Sequence, residues 1–285
     1  MFGIRATKLS VVADGGAIGI NWADSLTAGL LHWFPLNENV GTKVIDVCGR
    51  CKTAATWTGA IVRTGSKFGR ALEFPNSATN IDTGYSVKLP TNALTVSCWV
   101  RPSFAPAHWA FAVSAVNGGS VNDQFDISHS DNVTGGFKFG ISNSSGSGFL
   151  SLDAVVVVEN IWNHIVGVFD GATVGIYVNS VSGGSNAAVT TINNTNPVTL
   201  QFGDNHLANA YYAGGLTHVG IWNRALKPEE IRRLYIEPLA PLYLPGRPLF
   251  VPTIGVTWTG VATEAGVGSI AGTAVERMIG STLRW

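Results

Sequence analysis

Residues 214–235 read GGLTHVGIWNRALKPEEIRRLY, a strand that runs directly into one short helix, and this junction constrains the fold more than any other stretch. Leu216, Val219, Ile221 and Trp222 supply the β-branched and aromatic bulk of a strand. Pro228 stands where a first-turn proline belongs, and Glu229 and Glu230 favour the positive end of a helix dipole. Ile231, Leu234 and Tyr235 then share one face at helical spacing. Further upstream the period is two. In 94–101, Leu94, Val96, Cys98 and Val100 point one way and Thr95, Ser97, Trp99 and Arg101 the other. Residues 162–169 and 173–178 flank Asp170-Gly171, a hairpin signal. Stretches 137–141, 149–152 and 198–203 read as further strands, with Gly, Ser and Asn filling the gaps. Many short strands and one late helix predict a sandwich.

Four segments, in order, resemble one family. They are 30–41 (LLHWFPLNENVG), 65–74 (GSKFGRALEF), 161–178 (IWNHIVGVFDGATVGIYV) and the strand–helix junction. Together they resemble the LamG-like, concanavalin A-like jelly roll of lectins and glucanases. The resemblance implies an all-β jelly-roll sandwich over 29–235 with one short helix near its end, an N-terminal arm over 1–28, and a proline-rich C-terminal arm and tail over 236–285. It also implies a fold that usually binds or builds and only sometimes catalyses. Leu234-Tyr235-Ile236-Glu237-Pro238 is similar to the end of LamG-like proteins of tailed bacteriophages, with Leu239 where those carry Trp.

Charge excludes several partners. Only 13% of the 285 residues are charged and the formal net charge is zero, against about 25% charged in ordinary soluble chains. Without a Lys/Arg cluster there is no footprint for nucleic acid. The first thirty residues hold Arg5, Lys8, Asp14 and Asp24 and no long apolar core, so neither a signal peptide nor membrane insertion is expected. Cys48, Cys51 and Cys98 do not form a disulfide framework. Cys48 and Cys51 read as free thiols in a loop, and Cys98 as a small core residue.

Catalytic and metal chemistry lack their usual residues. The resemblance implies a calcium-binding acid just before Val219, where this chain has Thr217 followed by His218; Asp82 is the second candidate acid. A hydroxyl does not replace a carboxylate for Ca²⁺, so no metal and no cofactor are expected. Related hydrolases project paired carboxylates from one strand, and no Glu-x-Asp-x-Glu run occurs here. Glu229-Glu230 reads as helix-start chemistry. Asp123, Asp126 and Asp131 read as solvated acids of a polar loop, and His164, two after Trp162, as a core histidine. A non-enzyme is expected.

Two groups of residues remain as candidate contacts. Trp109, Phe111, Tyr211 and Tyr212 are aromatics that could stack on sugar rings; Tyr211 and Tyr212 follow the polar Asp204 and Asn205. Residues 236–252, IEPLAPLYLPGRPLFVP, are apolar and proline-rich, and Tyr243, Leu244, Pro245, Leu249 and Phe250 are candidate assembly contacts on neighbouring subunits. The function expected is a non-enzymatic virion structural protein, a capsid decoration or tail-associated component made in the host cytoplasm. It would display a lectin-like jelly roll, with other virion proteins and further copies of itself as partners. The alternative is a glycan-binding adhesion module that recognises cell-surface carbohydrate.

Overall fold

A computed structural model of the chain describes residues 19–243, apart from 39–40, 52–54, 76, 88–91, 104–109, 117–123, 130–135, 143–148, 188–190, 194–197 and 204–210. The strands, in chain order, are β1 (Gly19–Ile20), β2 (Leu30–Phe34), β3 (Thr56–Thr58), β4 (Val62–Ser66), β5 (Gly69–Phe74), β6 (Asn80–Val87), β7 (Leu94–Pro102), β8 (Phe111–Ala115) and β9 (Phe125–His129). They continue with β10 (Gly136–Ser142), β11 (Phe149–Val156), β12 (Asn163–Phe169), β13 (Thr173–Val178), β14 (Val181–Ala187), β15 (Val198–Phe202), β16 (Gly214–Trp222) and β17 (Leu242–Tyr243). One α-helix, α1 (Pro228–Ile236), precedes β17.

Two antiparallel sheets make the sandwich. One has seven strands in the order β11-β10-β9-β8-β15-β6-β3. The other has eight, in the order β14-β13-β12-β7-β16-β5-β4, with β2 also on β16. Strand β16 pairs along one side with β7, while its other side is shared by β5 at Gly214–Leu216 and by β2 from Val219 onward. A bulge between Thr217 and Gly220 marks the change, and His218 there has a left-handed φ of 50°. The Asp170-Gly171 hairpin forms as expected: Asp170 Oδ1 accepts the Ala172 and Thr173 N–H groups at 2.8 and 2.6 Å.

Period-two alternation puts the apolar side chains between the sheets. Phe34, Phe74, Phe125, Phe137, Phe139, Phe169 and Phe202 fill this layer with Leu94, Val96, Cys98 and Val100. Gly167 of β12 is there because Phe139 of the facing sheet needs its space. A Cβ at 167 would stand 2.1 Å from the Phe139 ring.

The outer face of the eight-stranded sheet is buried too. Trp33, Phe68, Trp99, His164, His218 and Trp222 are all nearly inaccessible on it. Helix α1 covers part of this layer with Ile231, Leu234 and Tyr235. Its start is fixed as the sequence suggests: Glu230 Oε2 accepts the Lys227 N–H at 2.9 Å and the carboxylate binds Arg224 in bidentate fashion.

The structure moves both expected arm boundaries. Gly19 and Ile20 pair with Tyr243 and Leu242, and the Asn21 N–H donates to Pro241 O at 2.9 Å. Leu26 is fully buried, and the Trp222 indole donates to its carbonyl at 2.6 Å. Residues 19–28 and 236–243 therefore belong to the folded unit, which reaches Tyr243. Each is a lone apolar strand or turn without alternation; its partner is the opposite end of the chain.

Candidate functional site

An open groove of about 520 Å³ lies where the N-terminal turn meets the start of β2 and the end of β16. Trp22 stands on its lining, 60% exposed, the largest exposed aromatic among the described residues. The turn that carries Trp22 is held from both sides. The Trp22 N–H donates to Ile20 O, the Asp24 N–H to Asn21 O, and Asn21 is tied to Pro241. Leu30 and Leu31 contribute apolar lining, and Ser25 and Asn223 contribute hydrogen-bonding groups. Gly29, at φ +74°, lets the chain pass close to Asn223: a Cβ there would sit 2.4 Å from Asn223 Oδ1. The size suits a short oligosaccharide or a similar small molecule.

Among the described residues two charged ones line the groove, Asp24 and Arg50. Asp24 is engaged, with Oδ1 accepting from the Leu26 N–H at 2.9 Å and from Arg233 Nη1 at 2.8 Å. Its other oxygen binds Arg233 Nη2, and this pairing raises the Arg233 pKa. Arg50 is placed by a buried hub. The Asp46 carboxylate accepts the N–H groups of Trp33, Cys48, Arg50 and Cys51 at 3.0–3.1 Å and meets His32 Nδ1 at 2.9 Å. Burial by itself would raise the Asp46 pKa, yet the hydrogen bonds from His32 and Cys51 hold it below its ordinary value. The carboxylate thus winds residues 46–51 into a fixed turn and presents an exposed Arg50 to the groove.

The residues expected to meet sugar are distributed differently. Trp109, Asp204 and Asn205 lie outside the described residues. Tyr211 is half-buried. Tyr212 is fully buried: it packs edge-on against Phe74 and donates its hydroxyl to Gly215 O at 2.9 Å. Phe111 is a buried residue of β8. Neither Tyr212 nor Phe111 is therefore open to a sugar: Tyr212 belongs to the core cluster, and Phe111 is only 3% exposed. Of the expected assembly contacts, Tyr243 pairs with Gly19 in the terminal ribbon. Leu244, Pro245, Leu249 and Phe250 lie outside the described residues.

The acids also change place. Asp126 is not in a polar loop but on β9, 1% exposed, accepting the Ser128 hydroxyl at 2.7 Å. In cross-strand register it stands beside Ser114, then Gln201, then Asp82, a polar row across the outer face of the seven-stranded sheet. Two strands separate Asp126 from Asp82, roughly 14 Å at the usual strand spacing. A glycosidase pair needs about 5–9.5 Å. Asp123 and Asp131 lie outside the described residues. Thr217 and Asp82 sit on different sheets, and Thr217 Oγ1 donates to Pro35 O at 2.8 Å. Among the described residues no three His, Cys, Asp or Glu side chains converge on a point fit for a metal.

His164 is buried as expected, though on the outer face under α1 and not between the sheets. Its Nε2 lies 2.8 Å from Ser97 Oγ and its ring stacks on Trp99. Burial, with the charges of His218 and Lys67, lowers its pKa to about 3. The His164 Nδ1 has no hydrogen-bond partner among the described residues, so no acid there orients the ring as in a catalytic triad. Cys48 and Cys51 are half-buried and not bridged by a disulfide, and the Cys51 thiol donates to Thr83 O at 3.5 Å; burial and the Asp46 charge push the Cys48 thiol up to about 12.

The groove residues Trp22, Arg50 and Asn223 were not singled out by sequence reasoning. One signal was present: Trp22 lies between Asn21 and Asp24, both turn formers.

Comparison with known proteins agrees with the fold. The model of the family described as the concanavalin A-like lectin/glucanases superfamily matches residues 75–232, more than half of the chain. The chain belongs to this superfamily. No curated protein matches it. Among solved structures, this superfamily member is similar to domain 4 of AbnA, an extracellular arabinanase from Geobacillus stearothermophilus, solved with arabinotriose. The TM-score is 0.58 at 19% identity, over 72% of this chain and 98% of that one. It is also similar to the binding domain of paraclostridial mosquitocidal protein 1, with TM-score 0.58, 16% identity and 74% of this chain covered. The receptor-binding domain of botulinum neurotoxin D follows, with TM-score 0.55, 12% identity and 74% covered. The chain spans about half the length of these two toxin domains, 52% and 53%. At such identities the likeness shows the jelly-roll fold. Among the described residues no helix is long and apolar enough to cross a membrane.

Proposed function

We propose that this superfamily member is a non-enzymatic carbohydrate-recognition module, and that its sugar lies in the groove at Trp22. The observation that carries the reading is a tryptophan 60% exposed on an open groove that also offers Ser25 and Asn223. The flat face of the exposed indole matches the apolar face of a pyranose ring. The arabinanase domain solved with arabinotriose and the toxin binding domains support the class of function by likeness of fold. The spacing of Asp126 and Asp82 supports a non-catalytic reading. The experiment is a glycan array with the native chain and Trp22→Ala. Binding by the native chain that is lost in a fully folded Trp22→Ala protein is the expected result. A blank array, or signals indifferent to the substitution, would sink the reading.

A second reading concerns the setting. The jelly roll is carried on a virion as a capsid decoration or tail-associated protein, made in the host cytoplasm and docked on other virion proteins or on further copies of itself. Its support is the low charge, the phage-like Leu234-Tyr235-Ile236-Glu237-Pro238 and the apolar Leu244, Pro245, Leu249 and Phe250 that follow Tyr243 in the sequence. Removing residues 244–285 is expected to leave a folded domain that no longer enters particles in a reconstitution assay. Normal incorporation would refute docking by this segment.

A further inference from the structure

Resting on the reading of the groove as a sugar site, we propose that it selects saccharides carrying a carboxylate, with Arg50 as the partner of the acid and Trp22 as the platform for the ring. The charge accounting decides this. Asp24, the one acid among the described residues of the groove, has both oxygens on Arg233 and one also on the Leu26 N–H. Arg224, next to Asn223, is bound to Glu230 and to the Ala28 and Ser25 carbonyls. These cations are neutralised by acids of the protein itself. Arg50 is the remaining charge: it lines the groove, is exposed, and makes no ion pair among the described residues.

The side chain is also presented from a fixed point. Its own N–H is held by Asp46 Oδ2 at 3.1 Å, and the same carboxylate fixes the residues on either side, Cys48 and Cys51. A guanidinium offered from a rigid turn loses less freedom on binding than one on a loose loop, and it can take a carboxylate in a bidentate fork. Asn223 and Ser25 then serve sugar hydroxyls, which are neutral donors and acceptors. A neutral sugar uses the Trp22 face and these two groups only. A uronic or sialic acid adds the charge-assisted pair with Arg50, which corresponds to about a tenfold gain in affinity and weakens as salt screens it.

The test is titration calorimetry of the full chain with sialyllactose, a glucuronate-containing disaccharide and neutral lactose, at low and high salt. The variants are Arg50→Gln and Trp22→Ala, each checked for native near-ultraviolet dichroism. The expected result is that one or both acidic sugars bind about tenfold more tightly than lactose, which uronate or sialate it is being read from the two arms. Arg50→Gln removes that advantage; Trp22→Ala abolishes all three. Equal affinity for acidic and neutral sugars, or a preference that survives Arg50→Gln, overturns the proposal while glycan binding stands. Binding that survives Trp22→Ala overturns the location. No binding of any sugar by the native chain removes the functional reading and this proposal together. If sedimentation shows self-association that Trp22→Ala abolishes, the groove's occupant is a second copy of the chain and the proposal fails.

Discussion

Tyr235 of α1 lies flat on Trp99 of β7, with ring centroids 5.6 Å apart and planes 12° from parallel. Phe68 meets the same indole edge-on at 4.5 Å, and the Lys67 ammonium sits over it at 4.4 Å. The helix is thus fastened to the outer side of the sheet by an aromatic stack, which makes this outer layer a second small core. Tyr235→Ala is expected to cost about 2 kcal/mol, from lost apolar burial and lost stacking. Tyr235→Phe, which keeps the ring, is expected to stay within about 0.5 kcal/mol. Urea denaturation distinguishes them; equal losses would show that the hydroxyl and not the stack matters.

Asp46 is the single side chain on which the Arg50 turn depends. Asp46→Ala leaves the N–H groups of Trp33, Cys48, Arg50 and Cys51 without their acceptor and removes the partner of His32. Losing one member of such a buried pair costs about 3–5 kcal/mol. Asp46→Asn keeps an acceptor oxygen and should fall between the two. An Ala variant as stable as the native protein would mean that the turn holds without the carboxylate.

Acid should weaken the fold before ordinary carboxylates titrate. Burial lowers the pKa of His218 to about 3 and that of His129 to about 4; His164, buried and beside His218 and Lys67, is also at about 3. Unfolded, each takes its proton near 6.5. Between these values the unfolded chain binds more protons, so stability is complete above about pH 6.5 and declines as pH falls. The slope is about 1.4 kcal/mol per pH unit for each such histidine. Below about pH 4, protonation of Asp46, whose pKa is depressed, adds to the loss. The urea midpoint measured at pH 7, 5.5 and 4 should fall at each step; a flat profile over that range would contradict the buried neutral histidines.

The terminal ribbon gives a prediction that depends on where the chain is cut. Ending the chain at Ile236 removes the Leu242 side chain, the Pro241 acceptor of Asn21 and the partner strand of Gly19–Ile20. Ending it at Tyr243 keeps all three. The shorter protein should lose about 2–3 kcal/mol relative to the longer, roughly 5–10 °C in melting temperature. It should also bind sugar less well, since the Trp22 turn is anchored through this ribbon. Equal melting temperatures would make the ribbon an ornament of the surface.

Much of the fold is local and therefore legible in the sequence. The alternation at Leu94–Val100 and the Asp170-Gly171 turn report their own backbone, because a strand or turn is specified by neighbours along the chain. The same holds for the Pro228 start of α1 and its Ile231, Leu234 and Tyr235 face. The sandwich follows, since these elements must bury one face each. The outer faces were not legible. Ser97 and Trp99 look like the solvent side of an alternating strand, and only packing of α1 and Phe68 above them buries them. Asp126 reads as a loop acid and Tyr212 as an aromatic free to meet sugar, because what buries them comes from partners far away in the chain.

The candidate site depends on tertiary structure most of all. The sequence determines that Trp22 sits among turn formers and that Arg50 lies in the short Asp46–Cys51 segment. It does not bring the two into one groove, and it does not show that Asp24 will be neutralised by Arg233, 209 positions away. That arrangement arises because β2 docks on β16, which carries Asn223 to Gly29, while β17 returns to hold the turn of Trp22. Periodicity records which face of an element is apolar; which distant element covers that face, and which charge is left unpaired beside it, is decided by three-dimensional packing.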